Sequence, residues 1–298
     1  MEFHKPILLN ETIEGLKIVP QGVYVDMTFG GGGHSREILN KLNAEGCLIG
    51  FDQDKDAWQN DLNDERFSLL RSNFRYAHKF LRLLNIDNVD GIMADLGVSS
   101  HQFDVAERGF SYRYEAKLDM RMNRKQSKTA IDIINEYSEA ELLRIFSEYG
   151  EIRNSRQLAR NIVSKRKGMP ILTSEGLEQT IDSVIRGERN RYLAQLYQAI
   201  RIEVNDELGA LRDMLSASAE MLKPGGRLAI ISFHSIEDRI VKRFIKTGNV
   251  QGKVEKDAFG VVQRPFKEVV KGVVLPSDEE RRANPRSNSA KLRIAEKL

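Results

Sequence analysis

The chain has 298 residues, 41% of them apolar and 30% charged, with a single cysteine. That apolar share excludes wholesale disorder, and one cysteine excludes both an intramolecular disulfide and a cysteine-rich metal knuckle. The net charge of +3 hides an asymmetry: residues 239–298 hold 15 Lys+Arg against 7 Asp+Glu, which leaves the preceding residues net acidic. A basic end on an acidic body fits a polyanionic partner such as nucleic acid, and equally a solvated basic tail. The opening MEFHKPILLNE lacks an apolar h-region, and no apolar run nears the ~20 residues that span a bilayer. A soluble cytoplasmic protein of about two domains is expected, since domains run to roughly 100–200 residues.

In chain order, Gly22–Asp26 reads as a short apolar strand ending in an acid, and four glycines follow at Gly30 to Gly33. His34 to Leu42 reads as a helix with Ile38, Leu39 and Leu42 on one face. Gly46–Asp52 is a second strand ending in an acid; Phe67–Leu70 and Gly91–Asp95 are a third and fourth. Strands spaced by helical segments imply βαβ units and a parallel sheet. From about Phe103 to Asn205 the pattern is helical throughout. Ser138 and Glu141 form a capping box, Arg156 to Lys167 is a further helix, Thr173 caps another, and Arg191 to Asn205 keeps helical periodicity. Strand character returns at Gly226–Phe233, entered from the turn at 223–226. The expected architecture is an α/β domain of residues 1–102 and 206–298, interrupted by an all-helical insertion of 103–205.

Glycines after a first strand let a ligand approach the backbone closely. Asp52, closing the second strand, stands where a carboxylate accepts both hydroxyls of an adenosine ribose. Three features favour S-adenosylmethionine over a nicotinamide. Asp26 can face a cationic amino-acid group where a pyrophosphate would be repelled. The loop has four consecutive glycines in place of G-x-G-x-x-G. The segment Met221–Ile231 looks like the late strand of class I methyltransferases. Asp95 ends the fourth strand and projects to where ligands bind in such sheets. There it accepts an N–H from a base amine, aligning a poor nucleophile, or it caps the next segment or binds only cofactor. Cys47 starts its strand, at the wrong end to attack a pyrimidine ring, so carbon-5 chemistry is disfavoured. The five histidines are scattered, with no metal-ligand spacing.

These residues carry a specific resemblance. The blocks TFGGGGHS (28–35), DLGVSS (95–100), ERGFS (107–111), LDMRM (118–122), QAIRIEVN (198–205), ISFHSIEDRIVKRF (231–244) and NPRSNSAKLRIAE (284–296) resemble the signatures of one family. It is the MraW or RsmH family, ribosomal RNA small subunit methyltransferase H. The blocks run nearly end to end and in order.

The resemblance implies a class I S-adenosylmethionine methyltransferase with a Rossmann-like parallel sheet. It would methylate N4 of a cytidine in the decoding centre of 16S ribosomal RNA, in the 30S subunit or a late precursor. A homodimer is left open, and the insertion would serve RNA recognition. Carried over by position, Gly32, Gly33 and His34 hold the cofactor through the glycine loop, Asp52 holds the ribose, and Phe74 lies beside the adenine. Asp95 and Gln102 complete the pocket near the amino-acid or methyl end. Gly31 stands where the family often has arginine. Asp119, Arg121 and Arg108 form a salt-bridge network or contact RNA. Phe233 packs in the core or stacks on an extruded base. The alternatives are an amine methyltransferase acting on another substrate, and an RNA-binding assembly factor with a vestigial cofactor pocket.

Overall fold

Strands form where the sequence concentrates apolar residues just ahead of an acid, because a parallel strand covered on both faces needs a continuous apolar run. The structure, a computed structural model, describes residues 6–257, 259–260, 262 and 264–298. Its elements begin with α1 (Leu9–Leu16), β1 (Val23–Asp26), α2 (Gly33–Leu39), β2 (Cys47–Phe51), β3 (Phe67–Leu70), α3 (Ala77–Leu83) and β4 (Val89–Asp95). Then come α4 (Ser100–Asp104), α5 (Ala130–Glu136), α6 (Glu139–Glu148), α7 (Ser155–Lys165), α8 (Ser174–Ile181), α9 (Arg189–Asn205) and α10 (Glu207–Met221). The chain closes with β5 (Leu222–Ser232), α11 (Ser235–Thr247), β6 (Phe266–Glu268), α12 (Asp278–Ala283) and β7 (Lys291–Lys297).

The strands form one seven-stranded sheet in the order β3-β2-β1-β4-β5-β7-β6. All pairs from β3 to β5 are parallel, and β7 runs antiparallel to both β5 and β6. This is the class I methyltransferase fold expected from the sequence. The order reverses at β1, between β2 and β4, and a reversal of that kind opens a crevice at the carboxyl ends of the strands. Within β5 the register jumps from Leu222 opposite Val89 to Arg227 opposite Gly91. The expected turn at 223–226 is therefore an outward loop in the strand, with Gly225 at φ 83°.

Contacts divide the chain into two compact units, one of residues 1–97 and 208–298, the other of 98–207. The sequence reading drew these borders at 102/103 and 205/206. The first border falls earlier because Val98, ahead of the expected border, packs against the helical core. The sheet unit buries Leu8, Leu16, Ile38, Leu48, Met93, Ile231, Leu292 and Ile294, each such side chain worth about 1.5–3 kcal/mol.

The helical unit has its own core, including Ile133, Leu142, Phe146, Leu158, Leu177, Leu196 and Ile200. The expected cap at Thr173 and the capping box at Ser138 are both formed, the Thr173 and Ser138 side chains accepting from the Gly176 and Glu141 amides. Asp119 and Arg121 pair through two bonds of 2.7 and 2.8 Å. Arg108, only 2% exposed, donates to the Arg121 carbonyl at 2.9 Å. The expected salt bridge is thus present between Asp119 and Arg121, with Arg108 joined to them through a backbone carbonyl. Asn205 accepts from the Met122 amide and donates to the Met120 carbonyl, both at 2.8 Å, holding Met120 at φ 59°.

Candidate active site

The carboxyl ends of β1, β2, β4 and β5 each deliver an acid or a hydrogen-bonding loop to one rim of the sheet. After β1 the chain turns through Gly30 and Gly32, whose φ values of 52° and 73° lie in the region that suits glycine. A side chain on Gly32 would meet the Phe29 ring at 2.9 Å, and one on Gly33 would collide with Pro6. Gly31 has open space where a side chain would stand, so this position of the loop is free to carry one.

Asp26 departs from expectation. It is 1% exposed, and its two oxygens accept from the Thr28 amide at 3.0 Å and the Ser35 hydroxyl at 2.7 Å. It faces no open space; it braces the glycine loop from beneath. Burial raises its carboxyl above the usual range against the pull of those two donors.

Asp52 is built into the same loop. One oxygen accepts from the Gly30 amide and the other from the Asp54 amide, both at 2.8 Å. Each oxygen keeps a lone pair for a further donor. Removal from water pushes this carboxyl up to about 7, against the two amide bonds. Trp58 donates to the Asp52 carbonyl and Asn60 to the Gly30 carbonyl, each at 3.0 Å, so the segment after β2 clasps the loop. Beyond β3, Asn73 donates to Gln53 at 3.0 Å and caps the turn that carries half-buried Phe74.

Asp95 closes β4. Its amide donates to Thr28 Oγ1 at 2.6 Å, which ties the ends of β1 and β4 together. Its Oδ1 is buried and, among the described residues, has no hydrogen-bond partner, although the side chain as a whole is 26% exposed. Burial, then the charges of Asp26 and Glu237, push the carboxyl up to about 8. Glu237 is itself buried and accepts from the Phe233 and His234 amides at 2.9 and 3.4 Å, fixing the loop after β5. Phe233 is half-buried against the sheet core.

His34 is 6% exposed, and its Nε2 pairs with the Ile7 carbonyl at 3.1 Å. Burial lowers it to about 4, so the ring is neutral at pH 7 and Nε2 carries the proton. The ring faces the N-terminal segment, which leaves the backbone of His34 for any ligand on the glycine loop. Gln102 belongs to the helical unit, where its Oε1 accepts from the Ser99 amide at 3.0 Å in a capping box.

This constellation of a glycine loop and acids at strand ends has a close counterpart among known proteins. The profile of the MraW methylase family matches residues 1–298. The chain belongs to that family.

Three relatives carry the name ribosomal RNA small subunit methyltransferase H. The protein of Christiangramia forsetii is 53% identical over 299 residues, covering 100% of this chain and 99% of the relative. That of Flavobacterium johnsoniae is 54% identical with the same coverage. That of Bacteroides fragilis is 54% identical, covering 99% of this chain and 97% of its own.

In this member of the MraW family the glycine loop, Asp52 and Asp95 are legible in the sequence, whereas the roles of Thr28, Asn60 and Glu237 are not. Thr28 and Glu237 lie inside the recognised blocks, so their position carried a signal. Nothing in the sequence singles out Asn60.

Proposed function

We propose that this protein is an S-adenosylmethionine-dependent methyltransferase acting on N4 of a cytidine in the decoding centre of small-subunit ribosomal RNA. The relatives' shared name supports the ribosomal RNA substrate. The observation that carries the chemistry is Asp95 Oδ1, a buried, unpartnered acceptor at the end of β4.

The site fits a cationic cofactor. Asp52 and Asp95 stand at one rim, with the buried acids Asp26 and Glu237 behind them and the imidazoles of His34 and His234 beside them, so a pyrophosphate would be disfavoured and a sulfonium with an ammonium group, which draws Asp52 and Asp95 toward their ionised forms, favoured. S-adenosylmethionine, when bound, supplies a methyl group on an electron-poor sulfur. Asp52 accepts the ribose hydroxyls, the backbone of Gly32, Gly33 and His34 lines the amino-acid end, and Phe74 flanks the adenine.

The exocyclic amine of cytosine delocalises its lone pair into the ring. Asp95 Oδ1 accepts one N–H, holding the nitrogen in line and later receiving the proton that leaves as the N–C bond forms. A cation beside Asp95 lowers its carboxyl toward the ionised, accepting form. The enzyme works in the cytoplasm on the 30S subunit or a late precursor, and the helical unit recognises RNA.

Small subunits lacking the mark, incubated with methyl-labelled cofactor, test the reading. Mass spectrometry should place the label on N4 of one cytidine. Label on carbon-5, on a ribose or on protein would overturn it, and failure to bind cofactor in calorimetry would favour the vestigial assembly factor.

A further inference from the structure

The helical unit is almost charge-balanced, with 18 Lys+Arg against 17 Asp+Glu over residues 98–207. Its charges are unevenly placed. Residues 152–174 contain Arg153, Arg156, Arg160, Lys165, Arg166 and Lys167 and not one Asp or Glu. This segment is α7 with its two flanks.

At 100° per residue, Arg156, Arg160 and Ser164 fall within one narrow arc of α7; Arg153 stands in the turn that precedes the helix and Lys167 in the turn that follows it, and all five are exposed. The opposite side, Leu158, Ala159 and Ile162, is buried in the unit's core. The 11-residue helix is ~16 Å long at the helical rise of about 1.5 Å per residue, enough to follow two or three phosphates of a nucleic-acid strand. Among the described residues its one ion pair is Arg160 with Glu139, 3.6 Å apart with Arg160 72% exposed, a pairing of little energetic weight. Arg166 is different: it is spent on the Ile134 and Tyr137 carbonyls, which anchors the end of the helix. Met169 and Leu172 stand exposed just beyond.

The competing surfaces are weaker. A cleft of about 620 Å³ in the same unit is lined by Glu115, Glu175, Glu178 and Asp182 against Arg113 and Arg189, and it repels phosphate. The basic C-terminal stretch is partly neutralised from within: Arg293 and Lys291 pair with Asp238, and Lys267 with Glu296.

We infer that the exposed face of α7 with its two flanking turns, carrying Arg153, Arg156, Arg160 and Lys167, is a docking surface for the sugar-phosphate backbone of the RNA substrate. The inference rests on the proposed function, since it takes the partner to be RNA. Contacts of this kind set affinity and orientation without reading bases.

The test uses the full-length protein, small ribosomal subunits lacking the mark and the triple variant Arg153→Gln/Arg156→Gln/Arg160→Gln. All three side chains are exposed, and circular dichroism with cofactor calorimetry checks that fold and cofactor affinity are retained. Losing three phosphate contacts should lower the slope of log K against log salt by about 2 and weaken RNA binding ~10-fold or more near physiological salt. The partner variant Arg281→Gln/Arg282→Gln should change neither. If the wild-type protein binds and methylates the RNA but the triple variant keeps its affinity and salt slope, the docking surface is wrong while the function stands. If the wild-type protein neither binds nor methylates those subunits, the function falls and the surface with it.

Discussion

The Nδ1 of His34 lies 3.9 Å from Asp95 Oδ2, yet the two make no ion pair at neutral pH. Burial holds the imidazole near 4 and the carboxyl near 8, so at pH 7 the histidine is neutral and the acid largely keeps its proton. A ligand-free site of this kind is strained against ionisation, and a cationic ligand relieves that strain.

Asp95→Asn should abolish methyl transfer and yet stabilise the fold in alkali. An acid raised in the native state contributes full stability below its unfolded value near 4, and loses it as pH rises through about 8. Asparagine has no such loss. Thermal melts should show the variant on the order of 1 kcal/mol or more ahead at pH 8.5 and level with wild type near pH 4. A variant that is less stable at both pH values would refute this account of Asp95.

Cofactor binding should release protons. Asp52 near 7 and Asp95 near 8 are both partly protonated at pH 7, and hydroxyl donors and a cation favour their ionised forms. Affinity should therefore climb from pH 6 to about 8.5 and then level off. Calorimetry in buffers of different ionisation enthalpy would count the protons, and a pH-independent affinity with none released would contradict it.

Asp52→Ala should weaken cofactor binding ~100-fold or more, because two hydroxyl bonds to a charged acceptor at about 1.5–3 kcal/mol each are lost. RNA affinity should stay within about twofold. Equal loss of both would instead indicate a collapsed glycine loop, since Asp52 also holds the Gly30 amide.

Asn205→Ala should cost about 2–3 kcal/mol, because the Met122 amide and the Met120 carbonyl lose their partner inside the helical unit. Denaturant titration would check it; a change below ~0.5 kcal/mol would mean that water replaces the amide group.

What the sequence made legible were features with local signals. β1, β2 and β4 announce themselves as apolar runs ending in acids because both their faces are covered. The C-terminal pair β6 and β7 went unread, as Lys291-Leu-Arg-Ile-Ala-Glu-Lys297 carries charges that look solvated. Arg293 is in fact buried, bonded to Asp238 at 2.7 Å, and Glu296 accepts Arg227 and Lys267. Pairs between residues so far apart leave no trace in spacing. Within the site, strand-end logic located Asp52 and Asp95 but misjudged Asp26, because the same logic does not say which acid points outward and which is sealed by Ser35.

The neighbouring strands β4 and β5 are separated along the chain by the whole helical unit and α10. On a ribosome, β4 is made and must wait, edge unpaired, while more than a hundred residues are added before β5 arrives. Contacts so distant in sequence form slowly. The helical unit, whose pairings are local, has the time to fold first, and the sheet closes last. In refolding, amide protection should appear in α6 and α7 before it appears in the β4–β5 ladder, so a catalytically competent rim around Asp95 is the final product of folding.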